Sequence, residues 1–180
     1  MKKKGLLTTS LLLGAAAGAV VLLEKNRRQA PAAQLNPAAP IRTKHTIRIN
    51  APADQVWQRL SEVGQWTSWQ PELAYARPNG PVAANSTFDW SVSGFLPLHS
   101  TITTFEPGQA FGWSASAFGS FAVHIWRFAQ REGYTEVTSE ETMEGWLVSL
   151  MKPVLQAALD KGNARWLEYL RETAEGVAKS

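Results

Sequence analysis

The chain has no cysteine and only three histidines in 180 residues. Without cysteine there is no disulfide, thiolate metal site, iron–sulfur cluster or cysteine nucleophile. His45, His99 and His124 are scattered, so a multi-histidine metal site would need the fold to gather them. No glycine-rich phosphate loop of either common spacing occurs. No metal, cofactor or catalytic residue is therefore expected from motifs. Positive charge is scarce where a nucleic-acid binder would need it. Residues 1–28 hold six of the 18 Lys/Arg and one of the 15 Asp/Glu, which leaves residues 29–180 with 12 basic against 14 acidic side chains. The pI of ≈ 9.3 belongs to the N-terminus, whereas nucleic-acid binders spread positive charge over the folded domain. Nucleic acid is not an expected partner. What is present is globular: 44% hydrophobic residues, and a length suited to one domain plus an appendage.

Residues 5–23 form an uncharged run of 19 residues behind Lys2, Lys3 and Lys4. As a helix the run would measure about 28 Å, close to the hydrocarbon thickness of a bilayer. Two readings compete for residues 1–28. One is a cleaved secretory signal with Ala17-Gly18-Ala19 as its small-residue cleavage site. The other is an uncleaved membrane anchor, which the continuation through Val20-Val21-Leu22-Leu23 favours. The basic flanks place the N-terminus inside and the domain on the extracytoplasmic side; after cleavage it would instead be secreted or periplasmic. Residues 29–40, rich in proline and alanine without charge, read as a linker outside the fold. The domain is assigned to residues 41–180.

Ile41 to Ile49 alternates, with Ile41, Thr43, His45, Ile47 and Ile49 on one face, and reads as a half-buried strand. Pro52, Val56, Trp57 and Leu60 then give a short helix ending near Gly64. Turn signals at Asn79-Gly80-Pro81, 94–97, Glu106-Pro107-Gly108, Phe118-Gly119 and Arg131-Glu132-Gly133 separate strands over 86–93, 98–105, 110–116, 121–129 and 134–143. From Leu155 the period changes: Leu155, Leu159, Gly162, Trp166, Leu170 and Ala174 recur every three or four residues. They predict an amphipathic helix of about 25 residues with Pro153 in its first turn or kinking it. An antiparallel meander wrapped on one long helix is an α+β arrangement.

Several motifs in this order carry a resemblance: Ile49-Asn-Ala-Pro-Ala-Asp-Gln-Val56-Trp57, Trp66-x-x-Trp69-x-Pro71, Phe88-x-Trp90, Glu106-Pro107-Gly108, His124-x-Trp126-x-Phe128, Thr135-Glu-Val137, Glu141-x-x-x-Gly145, and Trp166-Leu167-x-x-Leu170 with Ala174-Glu175. Over about residues 42–176 the body resembles the START/polyketide-cyclase-like (SRPBCC) superfamily, the helix-grip fold shared by Bet v 1-type allergens. The resemblance implies a sheet of about seven antiparallel strands gripping the C-terminal helix, two short helices after the first strand, and a cavity between sheet and helix. Many relatives bind lipids, sterols or polyketides, and some are cyclases or dehydrases. The superfamily has no shared catalytic motif to carry over.

Six residues are candidate ligand contacts: Trp69, Trp90, Trp113, His124, Trp126 and Glu141. The resemblance puts Trp66 and Trp69 at the cavity mouth. Trp57 and Trp166 sit at helical core positions and read as packing. Phe88, Trp90 and Val92 share the inward side of their strand. On the last strand Val137, Ser139 and Glu141 share a parity, so Glu141 points inward, where a carboxylate is costly unless partnered. His124 shares its face with Trp126 and Phe128 on the preceding strand, within reach of Glu141. The pair would serve as a structural hydrogen bond, an anchor for a ligand's polar head, or an acid–base couple. His45 and His99 show no evident partners in the sequence. Three functions follow in order of expectation. The first is a membrane-tethered domain binding a hydrophobic or amphipathic small molecule. The second is an envelope interaction scaffold whose tryptophans fill the interior. The third is a cyclase- or dehydrase-type enzyme using His124 and Glu141. A cavity below about 300 Å³ would favour the scaffold.

Overall fold

The structure is a computed structural model that describes residues 34–92, 96–117 and 119–176. The 5–23 run and residues 29–33 of the Pro/Ala segment lie outside the described residues. Among the described residues no helix is long and apolar enough to cross a membrane.

Seven strands form one antiparallel sheet: β1 (Ile41–Ile49), β2 (Ala76–Pro78), β3 (Thr87–Val92), β4 (Leu96–Glu106), β5 (Ala110–Ala117), β6 (Ser120–Arg131) and β7 (Tyr134–Glu144). Their order is β1-β7-β6-β5-β4-β3-β2. Each neighbour from β2 to β7 is the next in sequence, as short turns dictate. The long return of β1 closes the sheet against β7, with Ile41 opposite Met143 and Ile49 opposite Thr135. The alternation seen in the sequence is the alternation of burial: Ile41, Thr43 and Ile49 are buried, while Arg42, Lys44 and Arg48 are exposed. A register shift between Ile102 and Thr104 bends β4 against β5.

Helix α1 (Ala53–Ser61) follows β1. Pro52 presets its entry, and Gln130 satisfies the first exposed donor by accepting from the Ala53 N–H at 2.8 Å. A 3-10 turn over Val63–Gln65 leads to α2, the single turn Trp66–Trp69. Gly145, with φ of 129°, ends β7. A Cβ there would lie 2.1 Å from the Gly119 carbonyl oxygen, and a Cβ on Gly119 would lie 2.0 Å from Trp146 Nε1. The two glycines thus seat α3 (Trp146–Leu150) on the β5–β6 hairpin. The long helix α4 (Lys152–Ala174) follows, with Pro153 in its first turn.

The core lies between the concave sheet face and α4. Trp66 is its hub: it has no exposed surface and meets Phe88, Trp90, Trp113 and Trp166 at ring-centroid distances of 5.3, 5.8, 5.3 and 5.1 Å. Most of these contacts are edge-to-face, the favoured geometry for aromatic pairs. The domain also reaches further N-terminally than the sequence boundary at 41. Ala39 is buried, the Asn36 side chain donates to Glu144 Oε2, and the Asn36 backbone N–H donates to Thr142 Oγ1 at 3.3 Å.

Candidate ligand cavity

The space under α4 is filled unevenly. Inward positions at one end of β5 and β6 carry Phe111, Trp113, Trp126 and Phe128, all buried. Toward the other end of the same strands, at the same parity, Ala115 and Ala117 follow Trp113 on β5, and Ala122 and Ser120 lie beyond His124 on β6. Opposite them α4 presents Ala158 and Gly162. Large side chains close one half of the interior and small ones leave the other half open. The result is a cavity of about 540 Å³. Leu96, Leu98, Met143, Leu147, Leu155 and Leu159 supply further apolar wall. Leu155 and Leu159 are only half-buried because the face they present looks onto this space, whereas Trp166, Leu167 and Leu170 pack on the aromatic core. The cavity runs to the end of the sheet where β3 gives way to β4, β5 turns into β6, and β7 runs into α3.

One polar cluster interrupts the apolar wall. His124 and Glu141 are direct cross-strand partners. Glu141 Oε2 stands 3.5 Å from His124 Nδ1 and accepts from Asn163 Nδ2 at 3.0 Å. The same Asn163 amide nitrogen donates to Thr43 Oγ1 at 2.8 Å, so both of its protons are used. His124 Nε2 pairs with Ser139 Oγ at 2.7 Å. Burial pushes the Glu141 carboxyl up to about 7 against the opposing pull of the Asn163 hydrogen bond, and burial pushes the His124 imidazole down to about 3. Below neutrality the cavity therefore presents a protonated carboxyl and a neutral imidazole, able to exchange hydrogen bonds with a ligand's hydroxyl, carbonyl or amide. Nearer the rim Glu72 pairs with Arg165, and Lys161 is exposed. Replacing Asn163 with Leu strands Glu141 Oε2 and Thr43 Oγ1. It is expected to cost about 2 kcal/mol, read as a shift in the urea midpoint.

Of the six sequence candidates, Trp90, Trp113, His124 and Glu141 line this cavity, and Trp69 and Trp126 do not. Trp69 packs edge-on against Trp166 at 5.7 Å and borders a separate surface depression beside Arg59 and Glu62. Trp126 is held between His124 and Trp166, at 5.1 and 6.2 Å, and is fully buried. Trp166 both packs in the core and lines the cavity, so the reading of pure packing is too narrow. Trp57 is half-buried and donates to the Ala110 carbonyl at 3.0 Å. The Trp90 N–H finds its partner in Ser100 Oγ at 2.9 Å. His99 is partnered after all, by Asp89 at 2.7 Å, and its hydrogen bond holds the Asp89 carboxyl below its ordinary range. His45 Nε2 stands 3.4 Å from Asp160 Oδ1 without hydrogen-bond geometry. Among the described residues no cluster of three or more potential ligands could hold a metal ion. Sequence reasoning missed Asn163 and the small residues that make the space. The signal available was Ala115-x-Ala117 and Ser120-x-Ala122, at the parity of Trp113 and His124.

A seven-stranded antiparallel sheet gripping a long C-terminal helix, with an apolar cavity between them, defines a helix-grip domain. The family described as polyketide cyclase / dehydrase and lipid transport matches residues 40–175, and the chain belongs to it. Among solved structures, a hypothetical protein, jhp0584, from Helicobacter pylori superposes with a TM-score of 0.68 at 14% identity, covering 77% of this chain and 90% of that one. The Zhui aromatase/cyclase from Streptomyces sp. R1128 gives 0.66 at 15%, covering 74% and 93%. The di-domain aromatase/cyclase BexL from the BE-7585A biosynthetic pathway gives 0.65 at 18%, covering 78% of this chain and 51% of its own, so this chain spans about half of it. At these identities the likeness is one of fold. A search of curated proteins finds no match.

Proposed function

We propose that this protein binds a hydrophobic or amphipathic small molecule, such as a lipid, in the cavity beneath α4, and that residues 1–28 tether it to a membrane with the domain on the extracytoplasmic side. The observation that carries the binding reading is the cavity itself. Its volume of about 540 Å³ falls within the range of small-molecule sites, and a mostly apolar wall with few placed polar groups is their usual make-up. The same volume counts against a scaffold whose tryptophans fill the interior. The tether rests on the uncharged 5–23 run and its basic flanks, and it suits a ligand that partitions into the bilayer.

The direct test is organic extraction and native mass spectrometry of the full chain purified from membranes. A stoichiometric apolar ligand supports the reading, and the intact mass reports whether the N-terminal residues remain. An empty protein that also takes up no N-phenyl-1-naphthylamine, a neutral apolar fluorophore, overturns it. Ala122, half-buried on the cavity wall, gives a sharper test. Ala122→Trp is expected to lower the affinity for that probe roughly tenfold or more while unfolding stays cooperative, because the added indole occupies the ligand's space.

A second reading is favoured by one observation: His124 and Glu141 lie side by side in the cavity with pKa values pushed in opposite directions. Acid–base chemistry of cyclase or dehydrase type would use that pair. It requires His124→Ala to abolish turnover while probe binding survives.

A further inference from the structure

The segment that follows β7 is apolar on two sides. One side, with Leu147 and Leu155, lines the cavity. The other faces solvent: Trp146, Leu150 and Val154 stand at four-residue spacing with 55%, 74% and 64% of their surface exposed, and Met151 beside them has 40%. These four are the exposed large hydrophobics among the described residues. A helical segment apolar all round wants a partner on both sides, and an apolar patch concentrated at a cavity rim marks an interaction surface. No acidic residue occurs between Glu144 and Asp160, while Lys152 is exposed within that stretch.

The course of the N-terminal chain says what the partner is. Residues 36–40 enter the domain at this same end. Asn36 is bonded to Thr142 and Glu144, four and two residues before Trp146, and Ile41 pairs with Met143, which lines the cavity. Ten residues, 24–33, separate the uncharged 5–23 run from Gln34, at most about 35 Å of fully extended chain. They include Lys25, Arg27 and Arg28, suited to anionic headgroups. A bilayer holding the 5–23 run is thus tethered at the cavity-rim end of the domain, the end opposite the β6–β7 turn.

We propose that Trp146, Leu150, Met151 and Val154 form a docking ridge that rests on the lipid surface, so that the cavity opens toward the bilayer and exchanges its ligand there. The proposal builds on the membrane tether proposed above. An indole at the rim suits the headgroup boundary, where an amphipathic ring is favoured, and the leucine and valine suit the acyl region beneath it.

The absence of cysteine gives a clean probe. Leu150→Cys and, at the opposite end, Glu132→Cys each provide one site for an environment-sensitive fluorophore on the full chain, reconstituted in vesicles of phosphatidylcholine with phosphatidylglycerol. The label at position 150 is expected to shift to the blue and be quenched by brominated lipid, while the label at 132 is quenched by aqueous iodide. Leu150→Ser with Val154→Ser is expected to slow N-phenyl-1-naphthylamine transfer from the vesicles roughly tenfold without changing the urea midpoint. A chain that sediments with vesicles but leaves position 150 open to iodide overturns the ridge and keeps the tether. A label shielded from both quenchers means that the 5–23 run or a second copy covers the ridge, which also overturns it. A chain that stays in the supernatant overturns tether and ridge together.

Discussion

Trp66→Ala is expected to lower folding stability by about 4 kcal/mol, the usual size for emptying a fully buried aromatic site. Trp66 has no exposed surface, and four aromatic neighbours surround it. Its N–H donates to the Leu60 carbonyl at 2.7 Å, so truncation also frees a buried acceptor at the end of α1. The neighbours are rings fixed on β3, β5 and α4, which collapse poorly into the vacated space. For a domain of this size the loss corresponds to a fall in Tm of about 12 °C. Leu150→Ala, at a position with 74% of its surface exposed, is the control and is expected to change stability by less than about 0.5 kcal/mol. Urea denaturation of both variants distinguishes the cases; a Trp66 variant as stable as the control would mean that the hub is not what joins sheet and helix. Binding is expected to suffer as well, because Trp90, Trp113 and Trp166 stand between Trp66 and the cavity and lose their backing.

The strands were legible because their faces differ. β1 and β7 alternate, so parity turns Glu141 inward. β6 is buried on both faces over 123–126, and there His124 is placed by sharing the side of Trp126 and Phe128, with the hairpin to β7 following from the short Glu132-Gly133 turn. β2 was not legible: three residues ending in Pro78 give no period, and pairing with β3 alone defines them. α3 was not legible either. Its sequence, Trp146 to Leu150, is too short to show a helical period, and the feature that turns it off the sheet is the positive φ of Gly145. Ser91, on the polar side of its strand, is buried because the chain at Ala74 folds over it and donates to its hydroxyl, a tertiary event. The cavity was hidden for a related reason. A tryptophan announces itself in a sequence, whereas space is announced by its absence. Trp126 has the same parity as His124 but sits one step closer to the aromatic half, under Trp166 rather than on the cavity wall. Asn163 escaped notice because it interrupts an apolar helical stripe. Only the fold sets it against Thr43 and Glu141.

Glu141→Gln is expected to change how stability depends on pH, and the sign follows from where the proton sits. In the unfolded chain Glu141 ionises near its ordinary 4.5, and in the fold it keeps its proton up to about 7. Between those values the fold holds one more proton, so this group makes stability fall as pH rises from 4.5 and level off above 7. His124 acts oppositely: the unfolded chain takes a proton below 6.5, the fold only below about 3, so its contribution is lost as pH falls through that range. In the parent chain the two slopes cancel between 4.5 and 6.5 and leave a plateau. Glutamine removes one of them while still offering Asn163 an acceptor. The variant is therefore expected to gain on its parent steadily from pH 4.5, by about 3 kcal/mol at pH 7, in urea unfolding measured across that range. Parallel curves would mean that Glu141 is already ionised in the fold. The same proton governs occupancy. A neutral apolar ligand expels the water that would solvate an ionised carboxylate in the cavity, so binding must hold Glu141 in its protonated form. Affinity for N-phenyl-1-naphthylamine is accordingly expected to fall above pH 7 in the parent and to stay level in Glu141→Gln, which couples release of an apolar ligand to loss of the proton from one buried carboxyl.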